Sequence, residues 1–89
     1  MIRVIARHDA NLAKQVHRSS QSVFLNMHES VGRSGGHRWE CFETARGEIR
    51  ETRGALMLAE ALGYLQVPPD VDRRADLITA TIWKLARPR

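Results

Sequence analysis

An all-α, antiparallel up-and-down helical bundle is the fold this sequence predicts, and two observations carry the prediction. Apolar residues recur at alternating steps of three and four along three separate stretches, and no stretch shows the alternation of a half-buried strand. Between the first two stretches lies Gly32-Arg33-Ser34-Gly35-Gly36. Its glycines supply backbone freedom that a helix interior disfavours, so the flanking helices must fold back on one another and share their apolar faces.

Met1 to Ala6 carries Ile2, Val4 and Ile5 and reads as a short helical remnant over 1–6. Asp9 is placed to cap the next helix, because its carboxylate can accept from free first-turn amides at the positive helix end. That helix is predicted over 10–31, with Leu12, Val16, Val23, Met27 and Val31 on one face and the small Ser19 and Ser20 filling the gap in the series. After the reversal, Phe42, Ala45, Ile49, Thr52, Leu56 and Ala59 recur with the 3.5-residue period of left-handed bundles. Over 37–62 this helix would measure about 39 Å, a length suited to a bundle. Gly63 stops it as the C-terminal cap residue, and Tyr64 and Leu65 pack back on its end. Val67-Pro68-Pro69 forbids continuation. Asp70 then caps a last helix over 71–86, whose apolar series is Val71, Ala75, Ile78, Ile82 and Leu85.

A chain of 89 residues is sized for a single domain, 1–89, with a core small enough that burial through oligomerisation would help it. Its 43 % hydrophobic and 27 % charged residues are too polar for a membrane protein. The longest nearly apolar run, Ala55 to Leu65, is broken by Glu60 and falls short of the roughly 20 residues that span a bilayer. The N-terminus lacks the apolar stretch of a secretory signal, so the cytoplasm is the expected compartment. Cys41 is the only cysteine, which excludes an internal disulfide and an all-cysteine zinc site within one chain. A net charge of +4, carried mostly by arginine, permits nucleic acid as a partner without demanding it.

The combination of Ser22-Val23, Asn26, Glu29, Gly32-Arg33-Ser34-Gly35, Phe42, Ala45-Arg46-Gly47, Glu51, Leu56, Leu58-Ala59 and Leu62-Gly63-Tyr64-Leu65 resembles a known family. It is similar to the bacterial four-helix-bundle proteins first noticed in intervening sequences of large-subunit ribosomal RNA genes. The resemblance runs from about Asp9 to Leu85. It implies an antiparallel bundle related to the accessory protein of diversity-generating retroelements, a ring-shaped pentamer that works with a reverse transcriptase and binds nucleic acid through basic surface. Where the family has small residues this chain has His28 and Ser30, and Glu48-Ile49 replaces a serine-containing pair, which makes one helix contact bulkier and one face more acidic. The family also has a long helix before the position of Asp9, so Met1 to Ala6 would be a truncated first helix. An apolar groove is then expected on the other three, filled by a neighbouring subunit, by partial collapse or by upstream residues.

No catalytic residue, metal site or cofactor site is expected. His28-Glu29 opens a zinc-helix pattern, but Gly32 stands where the second histidine belongs. Cys41 adjoins the core residue Phe42 and reads as a partly buried structural thiol. Asn26 and Glu29, with Gly32 and Gly63, are read as structural, the polar pair bonding the adjacent reversal's backbone. Arg46, Arg50 and Arg53 form a stripe bordering the buried face of the long helix. It is either a surface for nucleic acid or a protein partner, or a solvated face laced with ion pairs. Arg33 and Arg38 add positive charge near a bundle end. Met57, Leu58, Leu77 and Trp83 lie beside the core stripes and are expected at a subunit interface. The expected function is therefore a non-enzymatic homo-oligomer, pentamer or dimer, that engages RNA or DNA or a nucleic-acid enzyme such as a reverse transcriptase. The alternative is a protein-interaction or scaffold module with no nucleic-acid role.

Overall fold

The computed structural model describes residues 1–31 and 35–86. Among them are four helices and no strand: α1 (Ile2–His8), α2 (Ala10–Val31), α3 (Gly35–Ala61) and α4 (Pro69–Ala86). Gly32, Arg33 and Ser34 lie outside the described residues, as do the side chains of Val31, Ile82, Trp83 and Leu85.

A single extended residue, Asp9, separates α1 from α2. Its amide donates to the Ile5 carbonyl at 2.8 Å, ending α1, while its carboxylate accepts from the Leu12 amide at 3.0 Å, capping α2. α1 thus ends two residues beyond the remnant expected, and Ile5 is fully buried. His8 stacks on Tyr64, with ring centroids 4.8 Å apart and planes within 2° of parallel, which ties α1 to the chain just past α3.

α2 and α3 form the body of the bundle. As the residue number rises along α2 the contacting number falls along α3: Leu12 and Val16 cluster with Leu56 and Ala59, whereas Val23 and Met27 pack with Phe42, Ala45 and Ile49, so the helices run antiparallel. One apolar cluster joins Ile5, Leu12, Ala13, Val16, Ala55, Leu56 and Ala59. A second joins Phe42, Ala45 and Ile49, with Val23, Met27, Trp39 and Ala75 against it. Between them sits a short polar relay. The Ser19 and Thr52 hydroxyls lie 2.6 Å apart, and Thr52 donates to the Glu48 carbonyl at 2.8 Å, so the fully buried Ser19 is satisfied without water. Ser30, also buried, turns its hydroxyl back to the Met27 carbonyl.

α3 starts at Gly35, which has φ +61°, and ends at a left-handed Gly63 with φ +79°. There the Gly63 amide donates to Glu60 and the Tyr64 amide to Ala59, the paired bonds of a Schellman end. This turn delivers Tyr64 and Leu65 to the first cluster, as expected, and Val67 packs there with them.

The start of α4 differs from expectation. The helix begins two residues early, at Pro69, because proline's fixed φ suits the first helical position and its missing N–H is not needed there. Asp70 is therefore inside the first turn rather than at the cap, where it faces Arg74 at 3.5 Å. Ile78, placed in the inward series, is 40 % exposed. Val71 and Ala75 pack on α3, but no full-length helix lies on the other side of α4 to cover the next turn.

Candidate functional site

Because α1 is only seven residues long, the space that a longer helix would fill between α2 and α4 is open. Val23 and Ser20 of α2, Ile49 and Leu56 of α3, and Val71, Ala75 and Ile78 of α4 line a groove of about 300 Å³. Its floor is apolar because these positions continue the core stripes of three helices. Arg53 and Arg74 stand at its edge. The groove continues the line of α1: Met1, Ile2 and Arg3 meet Val16, Ser20, Thr52, Leu56 and Val71 in an adjoining recess. The groove expected from a shortened first helix is present.

The arginine stripe is divided by its partners. Arg53 reaches across to α4, where its Nη1 donates to Asp76 at 2.7 Å and its Nε lies 3.4 Å from Asp72. The hydrogen bond to Asp76 raises the Arg53 pKa above its ordinary value; desolvation opposes the rise, and the charges of Asp76 and Asp72 add to it. Arg46 pairs with Glu43 one turn back at 3.4 Å. Arg50 is exposed and makes no ion pair among the described residues. Arg38 lays its guanidinium over the Phe42 ring, 5.5 Å from the centroid, covering the core rather than projecting from it. Arg33 falls outside the described residues. The stripe is thus mainly ion-paired, with Arg50 as its free member among the described residues.

Asn26 corrects its assigned role. Its amide donates to the Ser22 carbonyl at 2.9 Å and the Ser22 hydroxyl at 3.1 Å, one turn back within α2, so it does not bond the reversal through that group. Glu29 is exposed on the last turn of α2. Gly32 is not among the described residues, whereas Gly63 has its capping role. Met57, Leu58 and Leu77 are exposed by 66 %, 50 % and 67 %, the first two beside the exposed Leu62 at the end of α3 and Leu77 on α4. The side chain of Trp83 lies outside the description. Cys41 is buried.

The profile described as 23S rRNA-intervening sequence protein matches residues 3–85, spanning all but the edges of the four helices. The chain belongs to that family. Comparison with curated proteins and with solved structures finds no match. In this intervening-sequence protein, no helix among the described residues is long and apolar enough to cross a membrane, and no three His, Cys, Asp or Glu side chains are placed to hold a metal ion.

One surface of this intervening-sequence protein escaped the sequence reading. Lys14, His17, Gln21, Phe24 and His28 recur at steps of three and four along α2, all exposed. They face away from Leu12, Val16, Ser19 and Val23. The signal for it was the absence of any carboxylate between Asp9 and Glu29.

Proposed function

We propose that this protein acts without catalysis, as a homo-oligomeric helical bundle that engages nucleic acid. The open apolar groove supports the self-association. It continues the line of α1 between α2 and α4, so a helix from a second copy can lie along it and complete the bundle. Burial at roughly 25 cal/mol per Å² favours covering such a surface. An excess of positive charge, +4 for the chain, supports a polyanion as partner. An accessory place beside a nucleic-acid enzyme such as a reverse transcriptase fits the same reading.

Light scattering across a concentration series tests the assembly. Ile78→Glu combined with Ser20→Glu puts carboxylates at the groove from exposed positions and should yield a folded monomer from a wild-type oligomer. A wild type that is monomeric at every concentration refutes self-association. For the nucleic-acid part, affinity should fall steeply with salt because phosphate contacts release counterions. A wild type that binds no RNA or DNA supports the scaffold reading instead.

A further inference from the structure

We propose that the outward face of α2 is the nucleic-acid-binding surface and that it takes single strands. The inference rests on the nucleic-acid reading above and names its site. From Lys14 to His28 the stripe Lys14, His17, Gln21, Phe24 and His28 runs about 21 Å along the helix. Its charge is of one sign. Up to His28 the only acidic side chain is Asp9, which is engaged in capping α2, while Arg3, Arg7, Lys14 and Arg18 are basic. Arg18 is drawn to Glu51 and Glu48 of α3, leaving Lys14 and the two histidines to face solvent. The α3 stripe differs, because Glu40, Glu43, Glu48, Glu51 and Glu60 share that helix with its arginines.

Two features suit bases rather than phosphates. Phe24 is 67 % exposed and stacks against His28, with centroids 6.4 Å apart and planes 24° from parallel, so an aromatic platform stands on a stripe that carries Lys14 and no carboxylate. At the other end, Ile2, Ala6, Ala10 and Ala13 shape a depression of about 350 Å³ between α1 and α2, with Lys14 and His17 as its polar wall. A planar base can lie on small apolar side chains there while its phosphate meets the Lys14 ammonium. Duplex DNA keeps its base faces stacked inside and offers these platforms nothing; an unpaired strand presents both groups.

The test is fluorescence anisotropy with a labelled single strand of about 20 nucleotides, RNA and DNA, beside the matched duplex, from about 50 to about 200 mM salt. Phe24→Ala should weaken single-strand binding about 5- to 150-fold, the effect of losing one stacked base. Lys14→Gln should lower the slope of log affinity against log salt by about 0.7, one single-strand phosphate contact. Arg73→Gln on α4 should leave affinity within about twofold, because it touches neither feature. All three positions are exposed, so circular dichroism should show unchanged helix content. Wild-type binding that survives both α2 substitutions overturns the surface but leaves the nucleic-acid reading standing. No wild-type binding overturns both. Duplex bound as tightly as single strand overturns the single-strand assignment, and a change in oligomer mass with Phe24→Ala places this face at a subunit contact instead.

Discussion

Adding one methyl group to either of two glycines should move stability in opposite directions. Gly54 lies inside α3, and Gly63 forms its left-handed end at φ +79°. A Cβ built at either position meets nothing within 4 Å, so new contacts contribute to neither variant and the backbone alone decides the sign. Gly54→Ala exchanges a poor helix former for the best one and should stabilise by about 0.8 to 1 kcal/mol. At Gly63 an L-residue meets a conformational cost of about 1 to 2 kcal/mol. Reduced freedom of the unfolded chain returns about 0.4 to 1 kcal/mol of this, leaving a net loss near 1 kcal/mol. The two variants should therefore differ by about 2 kcal/mol, or about 8 to 16 °C in Tm for a domain of this size. Thermal unfolding followed by far-ultraviolet circular dichroism, at one protein concentration, reads the difference. If Gly63→Ala is neutral or stabilising, the chain does not leave α3 by a left-handed turn, and the delivery of Tyr64 and Leu65 to the core needs another cause.

Removing the α2 cap with Asp9→Ala should cost about 0.5 to 2 kcal/mol in denaturant unfolding, since the Leu12 amide loses its acceptor. Leu56→Ala should cost about 2 to 5 kcal/mol by the same measurement, because Leu56 is a buried member of the core next to the groove. Arg53→Gln should lower global stability by no more than about 1 kcal/mol, as the carboxylates of Asp72 and Asp76 are solvent-exposed. It should nevertheless speed amide hydrogen exchange in α4 relative to α2, because it removes ties that hold α4 to α3.

The helices were legible in the sequence where a local rule decides them. Leu12 and Val16 against Leu56 and Ala59 follow from periodicity, and Asp9 and Gly63 act at the ends they mark because a cap is a contact within a few residues. Asp70 was misplaced where two local rules compete and proline's fixed φ prevails. Spacing put Arg46, Arg50 and Arg53 on one stripe, but the partners that divide them were less accessible to it. Asp72 and Asp76 approach Arg53 only after a turn and a second helix bring them back. Asn26 was assigned to the reversal beyond the helix, whereas Ser22, one turn earlier, supplies both acceptors. The stripe from Lys14 to His28 was missed because it carries no apolar series to follow.

Ile2 lines both the recess continuous with the groove and the depression beside Lys14. α1 is therefore a partition with a chamber on each side, joined to α2 at Asp9 and held at that same end by the stack of His8 on Tyr64, with Ile2 at its opposite end. A ligand in one chamber that displaces this partition changes the affinity of the other, and thermodynamic linkage makes the effect mutual. Subunit assembly on the groove side and strand binding on the α2 side would then be coupled through a seven-residue helix, with Ile2 as the contact they share.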